Sequence, residues 1–118
     1  MFNPIEDYIN ERKSLITKII SDEGVWIKPL VVDNKDYLIM DGHHRFEAAK
    51  ELGLAKIPAI KVDYQDIPIW SLKKTEIVNK KLVREKALKG DIYPNKTVKH
   101  RFPFKIGLCN LPLNTLKS

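Results

Sequence analysis

The five residues Asp41–Arg45, of sequence Asp-Gly-His-His-Arg, constrain the fold of this chain more than any other stretch. The apolar segment Tyr37–Met40 precedes them, and Phe46–Gly53 follows with the pattern of a helix. We therefore predict a turn that joins a strand to a helix. Backbone N–H groups are unpaired at a helix start and the helix dipole is positive there, so such turns bind anions. Two imidazoles and a guanidinium add side-chain donors at the same place.

The composition limits what the whole chain can be. Its 118 residues are 43% hydrophobic, which suits one core, so we predict a single domain over residues 1–118. No run approaches the roughly 18 apolar residues of a membrane span, and the early acids Glu6 and Asp7 do not fit a signal peptide. Cys109 is the single cysteine, which leaves no disulfide framework. We expect a cytoplasmic protein without membrane contacts.

The positive charge is concentrated in one segment. The formal charge is +6, and Lys73–Arg101 contains ten Lys or Arg residues against three Asp or Glu residues. Such a segment can face nucleic acid, attract a small polyanion such as a nucleotide, or form a solvated helix face. The sequence leaves these three interpretations open.

Hydrophobic periodicity predicts one helix near the start of the chain and another in its second half. The first is expected over Ile9–Ser21 and the last over Lys74–Lys89, with Gly24 and Gly90 beyond their ends. Their buried sides are predicted from apolar residues at helical spacing: Leu15, Ile16, Ile19 and Ile20 in the first helix, and Ile77, Val78, Leu82 and Val83 in the last.

The intervening segments predict strands. Val25–Asp33 and Tyr37–Met40 are expected to pair as a hairpin around the turn Asn34–Asp36. Ile57–Tyr64 is predicted as a further strand, and the helix before it suggests a parallel crossover. Residues 91–118 contain three prolines and are expected to form loops and short strands. The predicted fold is α/β, a small mixed sheet with flanking helices.

Each residue of the central turn has more than one possible role. Asp41 is expected to cap the helix, to hold Mg²⁺ beside a phosphate, or both. Gly42 suits a close backbone approach, and Arg45 suits either a phosphate or an ion pair. His43 and His44 point about 100° apart on a helix, so they cannot both face one small ligand squarely, and a structural role for one of them stays open. Zinc would need a third ligand from far along the chain, so metal binding by these histidines is not expected.

A second cluster of cationic residues lies in the proline-bounded segment Tyr93–Pro103. Lys96, Lys99, His100 and Arg101 fall within six residues there, which is dense for a solvated turn. A further aromatic residue, Trp70, can be explained either as part of the core or as the cover of a binding cleft.

These residues resemble the ParB/sulfiredoxin-like domain over nearly the whole chain. The central turn, the helix ending at Gly53 and the strand from Ile57 carry the resemblance. The segment Tyr93–His100 is similar to the Pro-Pro-Lys-Thr-Thr-Arg-His pattern of the free serine kinase branch, although Asn95, Val98 and Lys99 depart from it. His43 stands where sulfiredoxins have their catalytic cysteine, which excludes that chemistry. No helix-turn-helix follows Tyr93, so a DNA clamp is not expected.

The resemblance implies a kinase that transfers a phosphoryl group from ADP or ATP to free L-serine, with Mg²⁺ as cofactor. Glu6, 18 residues before Gly24, matches the proposed catalytic base, and Asp41 would assist catalysis and hold the metal. Trp70 and Arg101 are predicted to contact the substrate. The nucleotide phosphates are assigned to Gly42, His43, His44, Arg45, Lys96, Thr97 and His100.

Two alternatives to the kinase remain at this level. Water in place of serine would make the chain a nucleotide hydrolase, and a non-enzymatic module would bind nucleotide or nucleic acid through its basic segment. The sequence leaves the oligomeric state and the choice between ADP and ATP open.

Overall fold

The computed structural model describes residues 2–117. Within this range it contains four α-helices, eight short strands and one 3-10 turn over Tyr64–Asp66. The helices are α1 (Asn10–Glu23), α2 (His43–Glu51), α3 (Lys80–Lys89) and α4 (Leu113–Leu116). The strands are β1 (Asn3–Pro4), β2 (Val25–Trp26), β3 (Leu30–Asp33), β4 (Leu38–Asp41), β5 (Ala59–Val62), β6 (Ile69–Ser71), β7 (Val98–His100) and β8 (Leu111–Pro112).

The centre of the fold is a four-stranded mixed sheet, as predicted. Its strand order is β1-β4-β3-β5, with β3 and β4 antiparallel and the two outer pairs parallel. The predicted hairpin is therefore confirmed for β3 and β4. Two small antiparallel pairs, β2 with β8 and β6 with β7, attach the C-terminal third of the chain.

The predicted parallel crossover is wrong, because β4 is antiparallel to β3 and β5 is parallel to β3, so the strands before and after α2 run in opposite directions. The strand after α2, β5, pairs with β3 and not with β4. The free edge of β4 is occupied instead by β1, where Asn3 and Pro4 lie beside Leu38 and Ile39. The predicted single strand Val25–Asp33 is also divided into β2 and β3, because Pro29 has no N–H to donate to a sheet.

The sheet is covered on both faces. Alternate residues of β3 and β4 enter two separate apolar clusters, one with Val31, Leu38 and Met40 and the other with Leu30, Val32 and Ile39. Helix α3 contributes to the first cluster, and α2 and α4 contribute to the second. Burial of each large apolar side chain contributes about 1.5–3 kcal/mol to folding.

A buried carboxylate joins the hairpin to α3. Asp33, fully buried, accepts the backbone N–H of Leu38 at 2.7 Å and a guanidinium N–H of Arg84 at 2.9 Å. Arg84 also contacts Asp36 in the same turn. This network fixes α3 against the turn between β3 and β4.

The predicted burial of the first helix is only partly correct. Ile16 and Ile20 are half-buried, but Leu15 and Ile19 are 58% and 49% exposed, and no residue of α1 is fully buried. Helix α1 packs mainly along α2.

The last helix begins later than its apolar spacing predicts. Asn79 caps α3 by accepting the backbone N–H of Leu82 at 2.8 Å, so residues 74–79 precede the helix. Ile77, predicted to be buried, is 73% exposed, whereas Val83 is fully buried. A side-chain cap therefore overrides the longer periodic pattern.

Gly42 should be the glycine that tolerates alanine least. Its φ is +101°, and an added Cβ would lie 2.4 Å from Cδ2 of Leu30. Backbone strain and overlap together predict that Gly42→Ala lowers the free energy of unfolding by about 2–5 kcal/mol. Gly53→Ala is the matched control, with φ +69° and no atom within 4 Å of the added Cβ, and should cost about 1 kcal/mol. Urea unfolding measures both, and equal losses would contradict the prediction.

Candidate active site

A cavity of about 590 Å³ opens where the predicted anion turn meets the C-terminal part of the chain. It lies between α1, the start of α2 and the segment around β7. All three histidines of the chain line it, together with five Lys or Arg residues and two carboxylates. The lining consists of Glu6, Arg12, Ile16, Lys28, Met40, Asp41, Gly42, His43, His44, Arg45, Leu72, Asn95, Lys96, Val98, Lys99, His100, Phe102 and Ile106.

The first turn of α2 forms one wall of the cavity. Gly42 is the N-cap residue in a left-handed conformation, and the first intrahelical bond runs from Phe46 N–H to Gly42 oxygen at 2.8 Å. The N–H groups of residues 43–45 precede that bond, so the helix itself leaves them without acceptors. Together with the positive end of the helix dipole, they favour an anion in the cavity.

Asp41 does not cap α2 by a side-chain hydrogen bond, contrary to one prediction for it. Its Oδ2 lies 3.1 Å from Arg45 Nη2 and 3.8 Å from Lys28 Nζ. Arg45 also donates to the carbonyl oxygens of Lys28 and Pro29 at 2.9 and 3.2 Å. The guanidinium is thus held by protein acceptors, which favours the ion-pair interpretation of Arg45.

His43 and His44 are bound to the N-terminal segment by their Nε2 atoms. His43 Nε2 accepts the backbone N–H groups of Ile5 and Glu6, both at 3.1 Å, and His44 Nε2 accepts that of Ile9 at 3.0 Å. An accepting Nε2 carries no proton, so each neutral ring carries its proton on Nδ1. Burial, followed by the charge of His100, lowers the pKa of His43 to about 3. Burial and the charges of Arg12 and Lys96 lower the pKa of His44.

Glu6 is a buried carboxylate that lines the cavity. Its Oε2 accepts the backbone N–H groups of Thr97, at 2.9 Å, and Val98, and its Oε1 accepts that of Lys96 at 3.2 Å. Burial raises the pKa of this carboxyl, while the three N–H donors and Lys73 oppose the rise. Oε1 has one protein donor, so it keeps a lone pair for another.

The segment around β7 supplies two further cations of the lining. Lys96 and Lys99 are exposed and line the cavity, and Lys96 has a left-handed backbone with φ +56°. Thr97 is fully buried, donates its hydroxyl to Pro94 oxygen at 2.7 Å and does not line the cavity. Thr97 therefore supports the segment through its N–H and hydroxyl groups.

His100 is the third histidine of the cavity. Its Nε2 is hydrogen-bonded to the hydroxyl of Tyr64 at 2.6 Å. Burial, followed by the charge of Lys99, lowers the pKa of His100 to about 4. All three imidazoles are therefore neutral at pH 7.

The structure brings together most of the residues that the sequence assigns to the site. Trp70, 43% exposed, and Arg101, also exposed, lie outside the cavity lining, as Thr97 does. Arg12 and Lys28 were missed, because nothing in the sequence shows that they face the turn. The assigned residues in the lining are Glu6, Asp41, Gly42, His43, His44, Arg45, Lys96 and His100.

Residues 2–117 contain neither a cluster of potential metal ligands nor a membrane-spanning helix. In this range no group of three or more His, Cys, Asp or Glu side chains is arranged to hold a metal ion. Over the same residues, no helix has both the length and the apolar character needed to span a bilayer.

Known kinases share part of this sequence and the fold. The ATP-dependent L-serine kinase of Staphylothermus marinus is 42% identical over 67 residues, which cover 53% of this chain and 27% of the relative. The ADP-dependent L-serine kinase of Thermococcus kodakarensis is 28% identical over 74 residues, covering 58% and 31%. The chain spans less than a third of the length of these curated relatives.

The likeness of the folds extends further along the chain. A free serine kinase in complex with AMP superimposes with a TM-score of 0.87 at 15% identity, over 98% of this chain and 90% of that one. The family model of the ParB N-terminal domain matches residues 1–78, two thirds of the sequence. With its mixed sheet and its strand–turn–helix at Asp41–Arg45, the chain belongs to the ParB N-terminal domain family.

Proposed function

We propose that this chain transfers the γ-phosphoryl group of ATP to the hydroxyl of free L-serine, giving O-phospho-L-serine and ADP. The observation that carries the proposal is a buried carboxylate, Glu6, that faces the same cavity as the N-terminus of α2. A base and an anion site in one cavity are two of the elements that phosphoryl transfer to an alcohol uses. The names of the relatives support serine as the acceptor, and the higher identity of the ATP-dependent enzyme favours ATP over ADP.

The nucleotide phosphates would occupy the cavity beside the start of α2. The backbone N–H groups of the first turn and the Nδ1–H groups of His43 and His44 would donate to phosphate oxygens. Lys96 would supply positive charge from the facing segment. Asp41 reduces the contribution of Arg45, which we assign to holding the turn in shape.

Glu6 would act on the acceptor. The serine hydroxyl would donate to Oε1, attack the γ-phosphorus and release its proton to the carboxylate as the new O–P bond forms. The bond from the γ-phosphorus to the bridging oxygen breaks, and its electron pair leaves with ADP. A raised pKa makes Glu6 a stronger base than an exposed glutamate.

Magnesium is proposed as the cofactor, held by Asp41 together with the phosphates. Mg²⁺ commonly binds through one or two carboxylates, substrate oxygens and water, so the site needs no cage of protein ligands. The Oδ2 atom of Asp41 is engaged by Arg45 and Lys28, which leaves Oδ1 for the ion. When bound, the ion would neutralise charge on the transferring group.

Glu6→Gln should separate catalysis from binding. Incubation of the wild-type protein with Mg²⁺, ATP and L-serine is expected to give O-phosphoserine, detected by phosphorus NMR. The substitution removes the base, so kcat should fall by about a hundredfold or more. The amide keeps one oxygen to accept the backbone N–H groups. The Kd for ATP should therefore change by no more than about tenfold, the effect expected from the loss of one hydrogen bond. Glu11→Gln, on the exposed first turn of α1, is the matched control and should retain wild-type turnover.

Other outcomes of this assay point to the alternatives. Phosphate release that does not depend on serine would identify a nucleotide hydrolase. No turnover with ATP or ADP, together with salt-sensitive binding of DNA or RNA, would contradict the kinase and favour a binding module.

The pH dependence of kcat should report the raised pKa of Glu6. The carboxyl must be deprotonated to accept the serine proton, so kcat should fall as the pH is lowered through that pKa. Since burial raises the pKa above 4.5, the loss should begin at a higher pH than for an ordinary glutamate. The measurement is kcat at saturating ATP and serine between pH 4.5 and 8, with ATP binding followed in parallel. A kcat that stays constant down to pH 4.5 would argue against Glu6 as the base.

Lys96→Met should weaken nucleotide binding. The substitution keeps an unbranched side chain and removes the ammonium group, so the Kd for ATP should rise about tenfold, as expected for one charge-assisted hydrogen bond. Lys56→Met is the control, because Lys56 is exposed and lies outside the cavity. Isothermal titration calorimetry measures both, and equal affinities of the two variants would remove Lys96 from the site.

A further inference from the structure

Tyr64 and His100 form a buried polar pair behind the cavity. Tyr64 is 3% exposed and His100 is 9% exposed, and their hydroxyl and Nε2 atoms are 2.6 Å apart. His100 reaches the cavity, whereas Tyr64 does not line it. Tyr64 therefore acts on the cavity only through His100.

The hydrogen bond fixes where the proton of His100 lies. Within residues 2–117 the Tyr64 hydroxyl has no partner other than His100, and a buried O–H without an acceptor would be costly. Burial raises the pKa of Tyr64 far above 10, so the phenol keeps its proton. The hydroxyl therefore donates to Nε2, and the neutral imidazole carries its own proton on Nδ1.

The Nδ1 atom of His100 is not sealed inside the protein, and His100 lines the cavity. In the described part of the chain His100 Nδ1 has no protein hydrogen-bond partner. The one fully buried side-chain polar atom without a partner there is Trp26 Nε1, so His100 Nδ1 is not fully buried and is accessible. Phe102 stacks parallel to the imidazole at 6.2 Å between ring centroids and 4° between planes. The ring is therefore held on one edge by Tyr64 and on one face by Phe102.

We propose that Tyr64 is a positioning residue, which holds His100 in its Nδ1–H form as a neutral donor to a phosphate oxygen of the nucleotide. The ligand class follows from the proposed function, on which this inference rests. A neutral donor suits the place, because burial and Lys99 disfavour an imidazolium there. The arrangement repeats that of His43 and His44, with a phenol in place of the backbone donors.

The first test reads the proton of His100 directly. In the ligand-free protein, two-bond proton–nitrogen correlation NMR should show His100 as the Nδ1–H tautomer. Tyr64→Phe removes the donor to Nε2, so the Nε2–H tautomer should become substantially populated. Tyr93→Phe is the matched control, since it also removes the hydroxyl of a buried tyrosine. That hydroxyl donates to the carbonyl oxygen of Ile77, at a distance of 2.8 Å, and lies outside the cavity. The control should leave the His100 tautomer unchanged.

The second test connects the tautomer to nucleotide binding. Tyr64→Phe should raise the Kd for ATP about fivefold to tenfold, the effect of weakening one hydrogen bond to the nucleotide. Tyr93→Phe affects no such bond and should change the Kd less than about twofold. In a His100→Asn background the amide nitrogen takes the place of Nδ1 and needs no tautomer. Tyr64→Phe should then add less than about a twofold change, as a double-mutant cycle would show.

The possible failures are distinguishable. An Nε2–H tautomer in the wild-type protein, or a tautomer unchanged by Tyr64→Phe, would overturn the inference whether or not the protein binds ATP. Equal effects of Tyr64→Phe and Tyr93→Phe on the Kd would reduce Tyr64 to a structural residue. Absence of ATP binding by the wild-type protein, with the expected tautomers, would overturn the phosphate contact and the proposed function together while leaving the proton assignment intact.

Discussion

The carboxylate of Glu6 holds the site together, because it joins segments that are 90 residues apart. Its side chain accepts backbone N–H groups from Lys96, Thr97 and Val98, and its own N–H is donated to His43 at the start of α2. A buried carboxylate without such donors would be strongly destabilising. The contacts of Glu6 therefore join two walls of the cavity, the segment Lys96–Val98 and the start of α2.

This dependence explains why the histidines of the cavity are neutral. Protonation of His43 would put a proton on Nε2, against the backbone N–H donors of Ile5 and Glu6. Protonation of His100 is disfavoured because the ring is buried. In the proposed site each imidazole would serve as an acceptor toward the rest of the fold and as a donor toward the bound phosphates. Positive charge is contributed instead by lysine and arginine side chains, which remain charged at neutral pH.

The sequence predicted what depends on neighbouring residues and missed what depends on distant ones. The turn at Asp41–Arg45 was predictable because apolar periodicity changes from strand to helix within a few residues. The pairing of β1 with β4 involves only Asn3 and Pro4, too short for any periodic pattern. The role of Glu6 in burial could not be read locally, since its partners lie beyond residue 95. Local chemistry decided the start of α3, where the Asn79 cap outweighed the apolar spacing of Ile77.

The cations that line the cavity fall into two groups, those paired with Asp41 and those without an ion pair. Arg45 and Lys28 share the carboxylate of Asp41, so their charge is partly neutralised and their geometry is fixed. In the described part of the chain, Arg12, Lys96 and Lys99 form no ion pair, and each lies on an exposed position of α1 or of the segment around β7. Fixed neutral donors can therefore set the position of an anion, while flexible cations adjust to its charge.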